Sequence, residues 1–294
     1  MEVLQKNGKR KKNIYNHIYN MCIINCFRGI CTIFCKRDSK TSDIPTNNTT
    51  DENVIENPVQ PEKEKTMEEL KNEFVKTINN SFNVEEKDIS KIERINTEKS
   101  IVYIAYSIQQ ENKFYDIDLN IPMINIKGNI PKEFNKVTQE VFVKKANEVR
   151  KNKNNAEKII YSIDYVGYLN DNILSIIIKS SLKQGNNPQR IIIQTYNYNI
   201  ETKEKVSLNN IIEQKNINVQ ELQNKINDVL KSVKKEETIL INSGYPVYER
   251  NLESEIYKIE NITNFFLNEE GKLYIVFAYG NQNFTSEFDI VKYE

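Results

Sequence analysis

Histidine, cysteine and tryptophan are almost missing from this 294-residue chain. His17 is the only histidine, all four cysteines lie between Cys22 and Cys35, and there is no tryptophan. The chain beyond residue 35 therefore cannot hold a Ser-His-Asp or Cys-His nucleophile system. The same absence removes the imidazole and thiolate ligands of zinc, copper and iron sites, and it excludes disulfides there. Carboxylate chemistry, and Ca²⁺ or Mg²⁺ binding by oxygen ligands, stay open.

The chain also has few glycines and no net charge. The eight glycines never occur in GxGxxG or GxxxxGK spacing, so the sequence has no phosphate-binding loop of these kinds. Lys plus Arg number 41 and Asp plus Glu number 41, which gives a formal net charge of zero. A nucleic-acid binder needs an excess of positive charge facing the phosphates. We therefore expect no nucleic-acid partner, no cofactor and no metal.

The first 37 residues have the order of a signal peptide or signal anchor, which is a basic stretch followed by an apolar one. The basic cluster is at residues 9–12, and the apolar run covers 21–35 with Arg28 inside it. Fifteen residues are short for a span of about 20, and a central arginine is costly in a bilayer. Three fates are open for residues 21–35, which are cleavage, a membrane span and acylation on a cysteine. The cysteine spacing is not that of a usual metal cluster, and a cytosolic basic arm is the other alternative.

Composition divides the rest of the chain in two. Residues 38–65 are dominated by Ser, Thr, Asn, Asp, Pro and Glu, and such a stretch buries too little to offset its ordering entropy. We predict a disordered polar linker there. Residues 66–294 are expected to fold as an α+β binding domain, with 66–155 and 156–294 as two possible subdomains.

The periodicity of apolar residues predicts the elements of this domain. Thr66 and Glu69 form a capping box before the first helix, and Pro131 opens the second. Helices are predicted at 67–80, 131–150, 207–212 and 218–233, and strands at 101–108, 113–121, 158–167, 172–182, 189–199, 272–279 and 284–291. The second helix is expected to bury Phe134, Val137, Val141, Ala146 and Val149. Short loops between strands indicate antiparallel neighbours, so the predicted class is α+β with an antiparallel meander and packed helices.

Three carboxylates are the candidates for catalysis or Ca²⁺ binding. Asp116 and Asp118 share the wet face of strand 113–121, and Asp164 lies on a later strand. A carboxylate-dependent hydrolase of wall glycan needs two acidic groups that converge in a cleft, one of them with a raised pKa. The spacing does not favour a cleft, and a solvated strand face explains the pair more simply.

The order of several short motifs resembles a known family. They are Tyr115 through Ile121-Pro122, the helix containing Asn135, Ile173-Leu174-Ser175-Ile176, Tyr196-Asn197-Tyr198-Asn199, Glu201-Thr202-Lys203, Ser207-Leu208-Asn209-Asn210-Ile211-Ile212, and Asn264-Phe265-Phe266-Leu267 with Gly271 and the strand to Tyr279. Over residues 100–294 they resemble the paired domains of unknown function in the outer part of the lysozyme-sensing anti-sigma-V factor. Similar domains precede some peptidoglycan deacetylases.

The resemblance implies a non-enzymatic, extracytoplasmic sensor or binding domain in a bacterial cell envelope, tethered to the membrane through residues 21–35. Its partner would be a wall-directed protein, such as a lysozyme-like enzyme, or a wall ligand. Loop position and aromatic content select the candidate partner-binding residues, which are Asn186, Asn187, Tyr245, Tyr248, Tyr279, Asn281 and Phe284. Besides the wall glycan hydrolase, an intracellular interaction protein is the alternative.

Overall fold

The computed structural model of the chain describes residues 65–84, 92–154 and 157–293. The predicted amino-terminal segment and all of the predicted linker except Lys65 lie outside these ranges. Among the described residues, no helix combines the length and apolar character needed to cross a membrane.

The elements alternate between strand groups and helices, and most of them lie where the apolar periodicity predicts them. The helices are α1 (Met67–Thr77), α2 (Asn129–Thr138), α3 (Lys144–Arg150), α4 (Leu208–Gln214) and α5 (Val219–Asn242). The strands are β1 (Ser81–Asn83), β2 (Val102–Glu111), β3 (Tyr115–Ile124), β4 (Ile159–Asn170), β5 (Ile173–Gln184), β6 (Arg190–Asn199), β7 (Glu204–Lys205), β8 (Phe265–Leu267), β9 (Leu273–Ala278) and β10 (Phe288–Tyr293). The predicted capping box at Thr66 is confirmed.

A large, mostly antiparallel sheet confirms the predicted α+β class. Its order is β2-β3-β4-β5-β6-β7, and β4, β5 and β6 form the expected meander. Two pairings are parallel. β3 pairs with β4 across the crossover that contains α2 and α3, and β1 pairs with β4 further along the same strand. The sheet therefore joins strands from both sides of residue 155.

A three-stranded antiparallel sheet, in the order β10-β9-β8, packs against part of one face of the large sheet. Phe266 and Phe288 from this small sheet meet Val166 and Ile193 of the large one in a shared apolar cluster. Phe74 of α1 packs in the same cluster, with its ring centroid 6.0 Å from that of Phe266 and 5.7 Å from that of Phe288. α1 thus covers the junction of the two sheets.

The second helical region differs from its prediction in which residues it buries. Phe134, Ala146 and Val149 are buried as expected, but Val137 and Val141 are exposed. Residues Gln139–Val143 form a π-helical turn between α2 and α3, in which the backbone hydrogen bonds span one more residue than in an α-helix. Phe142, rather than Val141, therefore continues the buried stripe.

Candidate functional site

Arg190 joins two of the three loops that carry the predicted site residues. It begins β6, immediately after the turn with Asn186, which is exposed, and Asn187, which is half-buried. Its Nε donates a hydrogen bond of 2.5 Å to the carbonyl oxygen of Gly280. Its guanidinium lies 4.8 Å from the ring centroid of Phe284, which is half-buried. The turn before β6 and the segment 279–284 are therefore neighbours.

The segment 279–284 is held against β6 by its backbone and by one amide. The Asn281 side chain accepts a hydrogen bond from the Ile193 N–H at 3.2 Å and donates one to the Ile193 carbonyl at 2.8 Å. A Cβ added to Gly280 would lie 1.7 Å from the carbonyl oxygen of Ile191. Asn281 and Tyr279 are both buried, so they position the segment and present no side chain to a partner. This corrects their placement on the candidate surface, because the segment turns inward on to β6.

Tyr248 connects the third loop to the same place. Its ring stacks on Tyr279 with the centroids 4.3 Å apart, and its backbone N–H donates to Glu287 Oε1 at 2.8 Å. Burial raises the pKa of Tyr248, and a hydrogen bond with Asn283 opposes part of that rise. Tyr248 is half-buried, so only part of its side chain is open to solvent.

Tyr245 lies at the end of the long helix α5, in a Schellman motif. Gly244 has a positive φ of 83° and its N–H donates to the Ile241 carbonyl at 2.9 Å. The Tyr245 N–H donates to the Leu240 carbonyl at 3.0 Å. Both bonds are those of a Schellman cap, in which the residue at the position of Tyr245 commonly contacts the one at the position of Leu240.

An exposed apolar surface surrounds this cap. The residues on the core side of α5 are Leu222, Ile226, Leu230, Val233 and Glu237, which are all buried. Leu240 and Ile241 continue that stripe by one turn, yet Leu240 is 42% exposed and Ile241 is 40% exposed. Nearby, Ile239 is 67% exposed and Tyr245 is 48% exposed. The last turn of α5 therefore extends beyond the core that its earlier turns cover. We call Leu240, Ile241 and Tyr245 the α5 terminal patch, since Ile239 lies about 200° around the helix from Glu237 and faces away from this stripe.

A buried ion network lies directly beneath this end of α5. Arg250 donates to Asp289 of β10 through Nε at 2.5 Å and through Nη2 at 2.9 Å. Its Nη1 donates to Glu237 of α5 at 3.3 Å and to the Tyr248 carbonyl at 3.1 Å. Lys71 of α1 lies 3.0 Å from Asp289. The network therefore fixes α5, β10 and the loop of Tyr248 relative to one another.

The network is electrostatically satisfied, which argues for a structural role. Burial alone would raise the pKa of Asp289, but the Arg250 hydrogen bonds and the Lys71 charge outweigh it and hold that pKa below its usual value. Burial, with the charge of Asp289 next, raises the pKa of Tyr279. Burial likewise raises the pKa of Tyr257 to about 12, although the hydrogen bond with Tyr279 lowers it in part. None of these shifts brings a group near neutral pH, where a general acid or base works best.

Sequence reasoning missed both the network and most of the patch. The signal for the network was a charge at a core position. Glu237 falls on the buried stripe of α5, and Asp289 interrupts an apolar strand. The signal for the patch was an apolar stripe that continues to Ile241 after the predicted helix end at 233.

The three carboxylates of the hydrolase hypothesis lie on one open face of the large sheet. Asp118 is exposed and stands beside Ser162 of β4, next to Asp164 along that strand. Burial raises the pKa of Asp118, and the charges of Asp164 and Asp116 raise it further. Asp164 accepts a hydrogen bond from Asn80 at 3.0 Å. Among the described residues, no group of three His, Cys, Asp or Glu side chains is placed to hold a metal ion.

Comparison with known proteins finds likeness only among solved structures. No family model matches the chain, and no curated protein matches it. The chain is similar to a DUF3298 family protein from Pseudomonas aeruginosa PAO1, at 11% identity and a TM-score of 0.37, over 70% of this chain and 91% of that one. It is also similar to a DUF3298 family member from Bacteroides fragilis, at 11% identity and a TM-score of 0.31, over 61% and 80%. At these values the likeness says nothing about activity or partners.

Proposed function

We propose that this protein is a non-enzymatic binding or sensor domain, held outside a bacterial membrane, that recognises a wall-directed protein. The α5 terminal patch carries the proposal. Isolated exposed apolar residues are ordinary, but a group of them at one place marks an interaction surface. Two large aliphatic side chains and a tyrosine on one helix end are the composition of a protein-binding centre.

The surroundings of the patch support a rigid recognition surface. The Schellman cap fixes Tyr245, and the buried Arg250 network holds the helix end against β10. Groups that are already fixed lose little conformational entropy when a partner binds. Half-buried Tyr248 follows in the same loop, and its ring stacks on Tyr279, at the start of the segment that holds half-buried Phe284.

The external location and the partner class rest on the sequence. A basic cluster followed by the apolar run 21–35 supports a membrane tether, and the polar stretch 38–65 supports a flexible stalk. The resemblance to the outer domains of the anti-sigma-V factor supports a lysozyme-like partner.

The first experiment determines where the folded domain lies. A carboxyl-terminal tag is followed after cell fractionation and after protease treatment of intact protoplasts. The proposal expects a tag in the membrane fraction that external protease destroys. A tag that stays soluble and protected would overturn the external location.

The second experiment tests the patch. Lysozyme and purified peptidoglycan fragments are titrated against the full chain and against Leu240→Ser and Tyr245→Ser variants. The few residues that dominate binding at an interface cost about 2 kcal/mol or more when truncated, which is a loss of affinity of roughly thirtyfold, and at least one of the two variants should show it. Val219→Ser is the matched control, since Val219 is on the same helix and is 51% exposed at its other end.

The control should bind like the unaltered protein, and all the variants should unfold at the same temperature. Lysozyme binding that neither Leu240→Ser nor Tyr245→Ser weakens would remove the patch from the proposal. Binding of neither probe would overturn the partner class. Binding of wall fragments alone would make the ligand a wall component instead of a protein.

A further inference from the structure

β2 is an edge strand of the large sheet. Within the described ranges of the chain, β3 is the only strand that pairs with it. Ten residues, Val102–Glu111, thus present one row of backbone N–H and C=O groups away from the sheet. Such a row is a template for pairing with another extended chain, and proteins usually protect it.

The usual protection is nearly absent from β2. Its sequence, VYIAYSIQQE, contains no Lys, Arg, Asp or Pro, and its one charge is Glu111 at the end. The register shifts between Ile104 and Tyr106, where Pro122 of β3 faces Ile104 and has no N–H to donate. That bulge disrupts the first half of the strand. The second half, from Tyr106 to Glu111, pairs with β3 in unbroken register.

We propose that this second half of β2 pairs antiparallel with β2 of a second copy of the chain, which joins two large sheets into one across a twofold axis. The strand is self-complementary because no like charges meet within it. A parallel pair in register would place the two Glu111 side chains opposite each other, which is unfavourable. An antiparallel pair centred on Ile108 or Gln109 instead places the two Glu111 side chains at opposite ends of the paired segment. Each Glu111 keeps its ion pair with Lys158 of its own chain, at 2.8 Å.

The size of the strand sets the strength of the dimer. Six residues extend over about 20 Å, and their pairing buries less than a stable interface of about 1,600 Å². The side chains of Tyr106 and Ile108, both half-buried in the single chain, add apolar contact across the axis. The dimer is therefore weak, with a dissociation constant of roughly micromolar or above.

The test places a lysine on the edge. Gln109→Lys adds the charge that natural edge strands use against pairing, and Asp118 lies directly opposite on β3 to accept it. The variant is therefore expected to fold normally, while two such lysines near the twofold axis repel. Ser162→Lys is the matched control, because Ser162 also neighbours Asp118 on the same face but belongs to β4, about 10 Å from the edge.

Sedimentation equilibrium of the full chain, over roughly micromolar to millimolar concentration, should show a monomer–dimer equilibrium. Gln109→Lys should raise the dissociation constant at least tenfold, and Ser162→Lys should change it less than twofold. Amides in residues 106–111 should exchange with deuterium more slowly at high concentration. A strictly monomeric protein, an equal loss of dimer in the control, or a dimer with unprotected β2 amides would each overturn the proposal.

Discussion

Arg250 donates two parallel hydrogen bonds to Asp289, and both side chains are buried, with the Asp289 side chain at 0% exposure. The pair joins a loop without regular structure to the beginning of β10. Such a pair contributes little compared with apolar residues of equal size, but the loss of one partner leaves a buried charge without compensation. This asymmetry makes the pair a sensitive point of the fold.

Arg250→Met should lower the free energy of unfolding by about 3 kcal/mol, because it takes the guanidinium away from the buried carboxylates of Asp289 and Glu237. Lys71 and Lys234 remain beside these two carboxylates and keep part of the compensation. Urea denaturation at neutral pH measures the change. Lys258→Met is the control, since it removes an exposed ion pair with Glu255 and should leave the midpoint nearly unchanged. A midpoint for Arg250→Met close to that of the control would contradict the structural role of the network.

The lowered pKa of Asp289 predicts that the stability of the folded protein decreases in acid. A carboxyl group whose pKa is lowered by folding stabilises fully above its unfolded value of about 3.9, and this stabilisation is lost as pH falls toward the folded value. Asp289→Asn lacks that titration. The urea midpoint of the unaltered protein should therefore exceed that of Asp289→Asn at neutral pH, and the difference should shrink below about pH 4. A difference that is constant with pH would count against the assigned pKa.

Asp118 predicts a pH dependence of stability that has the opposite sign. Its pKa is raised, so its ionised form is disfavoured in the folded protein, and this cost is present above the unfolded value of about 3.9. Asp118→Asn should raise the urea midpoint at neutral pH, and the gain should vanish in acid. Asp228→Asn on α5, where the carboxylate faces Lys231 at 3.4 Å, should give no gain. A loss of stability in Asp118→Asn would show that the carboxylate has a favourable partner.

Two glycine substitutions should differ in cost for a geometric reason. Alanine at Gly244 meets no atom within 4 Å but must adopt a φ of 83°, which costs about 1 kcal/mol. Alanine at Gly280 meets the Ile191 carbonyl at 1.7 Å, so backbone must move. Gly280→Ala should therefore lower the thermal midpoint clearly more than Gly244→Ala. Equal midpoints would mean that the segment 279–284 can move away from β6 at little cost.

Local sequence signals accounted for most of the elements. The side-chain caps at Thr66 and Asn218 begin α1 and α5 where they were predicted, since each depends on residues within three positions. Alternation along β3 correctly separated buried Ile117 and Leu119 from exposed Asp118. The predicted strands 158–167 and 172–182 correspond to β4 and β5, which a short turn separates.

The sequence was less informative where partners are distant along the chain. The three-residue strands β1 and β8 have too few residues for a periodic pattern, and their pairing partners lie far away along the chain or across a hairpin. The Arg250 network joins residues 13 and 39 positions apart, and in the sequence their charges look like those of a solvated surface. The burial of the candidate residues also depends on distant partners. Tyr245 is exposed, whereas Tyr279 and Asn281 face inward because of tertiary contacts.

The position of α1 and β1 has a mechanical consequence. α1 packs on the small sheet through Phe74, and after three residues β1 enters the large sheet beside β4. One short stretch of chain thus packs on the small sheet and pairs with a strand of the large sheet. A force that pulls on the chain ahead of Thr66 would act on both sheets at once. The residues nearest the proposed tether would therefore unfold only when the packing between the two sheets breaks.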